Sequence, residues 1–235
     1  MATKKEEGLK LTLNPIKWRV ATFEIQGTDG TPLAMQCRPS SVIDNLSRKD
    51  NGLPTIKYPS SDVRKFIDSM HWISNNKPDV LDETKTDQEL WDELETLLKN
   101  KEARFGIPSE AFKESIVKGA KRAKITTDLV TLRGVLVVLG ETCPIEFDTV
   151  EMEKVPTVNK NAMGNPMVIS VYSKFINWKT SVKIKYNSAL ISAAELANII
   201  NAAGASVGIL ARRPELSFGK YGAYEVTKIR ENDVE

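Results

Sequence analysis

The chain has 235 residues, of which 41% are hydrophobic and 27% charged, with a formal net charge of +2. That length supports a buried core without metals or disulfides as staples, and the near-neutral balance excludes a bulk polycation, so any affinity for nucleic acid has to come from local clustering. Cys37 and Cys143 stand far apart without CxxC spacing and His71 is the single histidine, which argues against the common zinc sites and for a reduced compartment.

Residues 9–26 alternate β-branched and aromatic residues, with a slip of face between Ile16/Trp18/Val20 and Ala21/Phe23/Ile25 that predicts a long bulged strand. GTDG at 27–30 predicts a turn into a second strand at 32–37. Residues 38–60 read as a long loop rich in Ser, Pro, Asn and Gly, and 62–70 as a short helix. From Asp79 to Glu95 the chain carries eight acidic residues against one lysine, with Leu90, Trp91, Leu94, Leu97 and Leu98 at helical spacing. This is an amphipathic helix over 86–99 whose acidic face is either simply solvated or a docking surface for a basic patch.

A second helix follows Gly106 and Pro108, with Ser109 as its cap and Phe112, Ile116 and Ala120 as its buried stripe. TLRGVLVVL at 131–139 reads as an apolar strand, 145–151 as a polar one and 155–165 as an exposed loop or hairpin tip. Strands at 167–176 and 180–186 come next; in the latter Val182, Ile184 and Tyr186 share one face, and Ser181, Lys183 and Lys185 the other. Ser192 and Glu195 form a capping box for a helix ending near Gly204, and 223–229 closes as a strand. In order, 16–26, 108–123, 131–139, 180–186, 193–203 and 223–229 spell βαββαβ. The expected fold is therefore α+β, a ferredoxin-like antiparallel sheet with a large mixed insertion after the first strand. Residues 8–26 and 104–230 make a discontinuous palm, and 27–103 an inserted loop and helical subdomain.

Chemistry is sparse. No GxSxG, Walker loop or paired His/carboxylate motif is present, and His71 sits in SMHWI among apolar neighbours, so no catalytic residue, metal ligand or cofactor is assigned. Asp148, Glu151 and Glu153 read as a solvated strand edge. Cations cluster instead. Five basic and two acidic residues lie between Phe105 and Lys124, and KFINWKTSVKIK at 174–185 holds four lysines and no acid. Lys121, Arg122 and Lys124 at a helix end, and Lys183 and Lys185 on a strand face, are of the type that neutralises phosphates; a helix dipole and an ordinary solvated strand explain the same residues equally well. VGILARRPELSFGKYGAYEV at 207–226 joins glycines, which let a backbone approach a phosphate, to Arg212, Arg213 and Lys220 as phosphate contacts and Tyr221 and Tyr224 as stacking groups.

Two stretches carry a resemblance. GIPSEAFKESIVKGAKRA at 106–123 resembles the "IPGSSLKGALR" segment of the RAMP superfamily, the backbone proteins of CRISPR effector complexes, and SFGKYGAYEV at 217–226 resembles their glycine-rich loop and closing strand. The region 104–230 is also similar to a set of uncharacterised tailed-bacteriophage proteins, through Trp178, Ile184, Tyr186, Val207, Gly208, Ile209, Arg213, Pro214, Glu215, Phe218, Gly219, Tyr224 and Val226. The RAMP resemblance implies a ferredoxin-like palm that polymerises along single-stranded RNA or an RNA hybrid. Ser109 and Glu110 stand where that family often has a glycine-serine pair, and Leu210 and Ala211 replace a second small residue before the arginines.

The resulting expectation is a non-enzymatic, phage-encoded protein that binds single-stranded DNA or RNA and assembles with copies of itself along the strand. Two rivals stand beside it: a structural or protein-interaction subunit in which the acidic helix of one copy meets the basic 174–185 of another, and a metal-dependent nuclease. No apolar run is long enough to span a bilayer and MATKKEEGLK lacks the apolar core of a signal peptide, so the expected location is the cytoplasm, that of the host if the protein is viral.

Overall fold

The computed structural model describes residues 16–37, 39–55, 61–125, 128–158, 167–216 and 219–232, and of 39–44 the backbone alone. The first strand, β1 (Trp18–Gly27), turns Ala21, Phe23 and Ile25 to one side, where all are buried, and Val20, Thr22, Glu24 and Gln26 to the other. It runs antiparallel between β8 (Lys179–Asn187) and β9 (Tyr224–Asn232). The far side of β8 is shared by two short strands, β4 (Leu136–Val138) and β5 (Thr142–Glu146), and β3 (Gly106–Pro108) extends the sheet beyond β5.

Two helices cover the face that carries Phe23, Val182, Ile184 and Tyr224. They are α4 (Ser109–Arg122), through Phe112, Ile116 and Ala120, and α6 (Ala193–Ser206), through Leu196, Ile199, Ile200 and Ala203. Ser192 and Glu195 close the capping box of α6 as its sequence requires. The helices approach so closely that a Cβ on Gly119 would lie 2.3 Å from the Ala203 Cα, and one on Gly204 would lie 1.8 Å from the Tyr224 carbonyl oxygen. Gly204 therefore does not end α6, which continues to Ser206; it makes room for β9. This α+β arrangement, with antiparallel sheets and six α-helices among the described residues, is consistent with the ferredoxin-like pattern.

A second antiparallel sheet holds β2 (Leu33–Met35), β7 (Met167–Ile176) and β6 (Thr149–Val158). Two short crossings between the sheets, at Phe147–Asp148 and at Asn177–Trp178, lie side by side, and Asn177 Nδ2 donates to Asp148 Oδ2 at 2.7 Å to hold them together. Beside them Phe105 meets Trp72, Phe147 and Phe175 with ring centroids 4.7, 5.7 and 5.3 Å apart, an aromatic cluster that joins the sheets. Helix α2 (Asp62–Ser69) packs on β7, and α3 (Asp87–Lys99) on α2, with Trp91 stacked on Phe66. Arg64 donates to the carbonyls of Val80, Asp82 and Lys85 and pairs with Asp87, which fixes the acidic 79–87 stretch to the body. Leu33, Met35, Phe66, Ile67, Leu90 and Leu94 belong to the same core as β1 and β8.

Several sequence expectations are corrected. Within 38–60 lies a helix, α1 (Pro39–Asp50). Val42, Ile43 and Leu46 have helical spacing there, although Ser and Asn depress propensity. The expected strand 131–139 is α5 (Leu129–Val135) followed by β4: Asp128 caps the helix by accepting the Thr131 N–H, and this local bond outweighs a β-branched composition. The expected strand 145–151 is broken at the Phe147–Asp148 crossing between β5 and β6. No change of face occurs in β1, whose register with β8 is continuous; the bulge lies opposite, where Thr227 of β9 is the extra residue between the partners of Glu24 and Ile25. Ser109 does not cap α4, because it is already the first helical residue and its hydroxyl lies against Cys143 Sγ. Of the expected hairpin tip, 155–158 continue β6, and 159–165 lie outside the described residues.

Candidate nucleic-acid interface

Because side chains alternate across a strand, the register of the first sheet fixes the composition of its outer face, the side opposite α4 and α6. Four cross-strand rows follow: Val137, Lys185, Val20 and Asn232; then Lys183, Thr22 and Arg230; then Ser181, Glu24 and Lys228; then Glu146, Lys179, Gln26 and Glu225. Arg230 pairs with Glu24, and Gln26 donates to Glu225. Lys179, Lys183 and Lys228 are exposed and Lys185 half-buried, and among the described residues none of the four forms an ion pair. Lys185 Nζ lies 5.1 Å from the ring centroid of Trp18 at the start of β1. The face thus carries these four ammonium groups, unpaired among the described residues, beside the Arg230–Glu24 pair and the carboxylates of Glu146 and Glu225, with an indole at one end.

The glycine-rich loop has the opposite character. It is docked on the second sheet by the Ala34 and Ala211 bridge and by the Gly222 N–H, which donates to the Pro32 carbonyl. Arg212 is 16% exposed in its side chain, donates to Glu153 Oε1 at 3.1 Å and lies over the rings of Tyr172 and Tyr221. The Tyr221 hydroxyl donates to the same Glu153 oxygen at 2.8 Å, and burial, then this bond, pushes its pKa above the usual phenol value. Arg213 folds back on Glu215 through two nitrogens at 3.1 and 2.8 Å. Arg122 and Lys118 reach Glu215 as well, and Arg213, the nearest of these cations, holds its carboxyl below the usual range. Tyr224 is 1% exposed, its hydroxyl 2.8 Å from that of Ser115, with burial raising its pKa well above the ordinary value.

The predicted residues therefore separate. Lys183 and Lys185 stand together on the outer face. Arg212 and Tyr221 close a cluster on Glu153 in which one cation meets one carboxylate, whereas Arg213, Arg122 and Lys118 share the single carboxylate of Glu215, so each is paired but the cluster keeps a net positive charge. Tyr224 lies in the core, where no base can reach its ring. Lys121 and Lys124 are exposed at the end of α4, on the helix side of the sheet, with Lys124 in the left-handed region at φ 55. Lys220 is exposed in the loop, and Phe218 lies outside the described residues. The basic stretch 174–185 is divided as well, since Lys174 belongs to the second sheet and pairs with Glu151, which raises its pKa. Asp148, Glu151 and Glu153 each have a separate partner. His71 is lowered in pKa by burial.

Neither a family model nor a curated protein matches the chain. Among solved structures, it is similar to a chain in a cryo-EM structure of the Type III-B Cmr-beta bound to cognate target RNA, with a TM-score of 0.47 and 10% identity over 92% of this chain. The chain spans 61% of that neighbour's length. No described helix is long and apolar enough to cross a membrane.

Sequence reasoning overlooked Trp18, Lys179, Lys228 and Arg230 as members of the outer face. Parity within β1 and β8 carries that signal for Trp18 and Lys179. Lys228 and Arg230 become legible only once the bulge at Thr227 sets the parity of β9.

Proposed function

We propose that the outer face of the first sheet binds single-stranded nucleic acid, DNA or RNA, as a non-enzymatic function, and that copies of the chain assemble along the strand. The observation that carries this reading is the row of Lys179, Lys183 and Lys185 on a solvent-facing sheet face, none of which forms an ion pair among the described residues, although Glu146 stands opposite Lys179. Alternate residues of a strand are about 6.8 Å apart, a spacing comparable to that of phosphates in an extended single strand. The ammonium groups supply sequence-independent attraction that salt screens. The resemblance of 106–123 and 217–226 to RAMP segments points to the same class of ligand.

Titration of a labelled oligonucleotide at increasing salt tests the proposal. The wild-type protein binds at low ionic strength, and Lys183→Glu with Lys185→Glu lowers the slope of log K against log salt by about 1.4, two single-strand phosphate contacts. No binding at low salt, or an unchanged slope, rejects it. A second reading, assembly without nucleic acid, draws on the exposed acidic residues Glu89, Asp92 and Glu95 of α3, opposite in charge to the lysine row. A nucleic-acid-free oligomer in a size measurement supports that reading; a monomer that assembles only on added strands supports the first.

A further inference from the structure

The outer face ends, beyond Lys185, in a cavity of ≈ 650 Å³ walled by Ile16, Lys17, Trp18, Val135, Asn187 and Leu190. Trp18 and Asn187 are direct partners in the register of β1 and β8, so both belong to the outer side, and the cavity continues the lysine row. Asn187 is only 8% exposed. Its Oδ1 accepts the backbone N–H groups of Lys17 at 3.2 Å and Ala189 at 3.1 Å. Since both partners are donors, the oxygen must face them and the amide orientation is fixed. Its Nδ2 has no acceptor among the described residues and is open to solvent, on a side chain that lines the cavity. A solvated donor so placed can exchange its water for an acceptor carried by a ligand.

Resting on the nucleic-acid reading above, we infer that this cavity takes one base of the bound strand. The base stacks on the Trp18 indole, with Ile16, Val135 and Leu190 against its remaining surface. A ring carbonyl or ring nitrogen accepts from Asn187 Nδ2, while Lys185 and Lys17 meet the flanking phosphates. Aromatic stacking of this kind is tolerant of base identity, because every base has a π-face. The sheet thus divides the work between lysines that hold the backbone and an indole slot that senses whether a base is attached to it.

Two probes of equal length and charge separate these contributions: a labelled oligothymidylate and a strand in which every base is replaced by an abasic site. At one salt concentration the wild-type protein binds the base-bearing strand about tenfold more tightly. Trp18→Ala abolishes that preference with the salt slope unchanged, Trp18→Phe retains most of it, and Asn187→Asp, which keeps both backbone contacts but replaces the donor, reduces it. Should Trp18→Ala lose its fold, Trp18→Leu keeps apolar bulk without a π-face and draws the same distinction. Equal wild-type binding of both probes, or a preference that survives loss of the indole, overturns the base slot while leaving the lysine row intact. Absence of binding to either probe overturns the nucleic-acid reading and the slot with it.

Discussion

The loop 207–226 and the outer face of the first sheet contain the same ingredients, cations beside aromatic rings, yet they end with opposite electrostatics. In the loop every arginine meets a carboxylate: Arg212 meets Glu153 and Arg213 meets Glu215. On the sheet Lys183 and Lys185 stand on strands whose neighbours on that face are Val20, Thr22 and Val137, which offer no countercharge. A basic residue becomes a candidate contact only where the fold brings no acid within ion-pairing distance of it. Glu153 is 59 residues from Arg212 in sequence, so its neutralising role is invisible until the second sheet forms.

The contrast predicts that substitutions in the loop cost stability, and substitutions on the face cost binding. The largest stability effect belongs to Glu153→Ala, which leaves the mostly buried Arg212 and the Tyr221 hydroxyl without their shared acceptor. A loss of about 2 kcal/mol is expected in urea unfolding, discounted for the partial exposure of both groups, with the salt slope of strand binding unchanged. A changed slope would return Arg212 to the list of phosphate contacts.

Next comes Tyr224→Phe, which removes the hydroxyl bond to Ser115 at a cost of about 1 kcal/mol near neutral pH. The pH dependence has a definite sign. The folded pKa values of Tyr224 and Tyr221 are raised above the unfolded phenol value, so their contribution is fully present below about pH 10 and is lost as pH rises further, when the unfolded chain gives up protons that the folded one retains. Unfolding curves taken on either side of pH 10 should show this alkaline decline, and Tyr224→Phe should make it shallower. The smallest effects are expected at Lys121→Ala with Lys124→Ala on the helix side: stability within about 0.5 kcal/mol of wild type and an unchanged salt slope. A slope that falls there as it does for Lys183→Glu with Lys185→Glu would mean that the strand also contacts the helix layer.

Much of the architecture was legible because it rests on local periodicity. The stripe of Phe112, Ile116 and Ala120, the Ser192–Glu195 capping box and the two-faced strand β8 are visible in the order of residues alone. The failures have a common cause. For 131–139 composition favours a strand, and one capping aspartate draws Leu129–Val135 into a helix. At Gly204 the residue type suggested a helix end, and the actual constraint is the Tyr224 carbonyl of a strand some twenty residues later. For the candidate site, Lys183 and Lys185 were readable by parity, whereas the fates of Arg212, Arg213 and Tyr224 depended on partners from distant segments.

For β8, α4 and α6 the order of residues alone distinguishes the inward from the outward face, because side-chain periods of two and 3.6 are properties of the backbone. Only the tertiary structure decided which outward charges remain uncompensated, because a charge is neutralised by whatever lies within a few ångströms of it, and that distance is set by sheet register and loop docking rather than by chain order. On that ground the strand face, with Trp18 and Asn187 at its end, is the proposed ligand site in place of the glycine-rich loop.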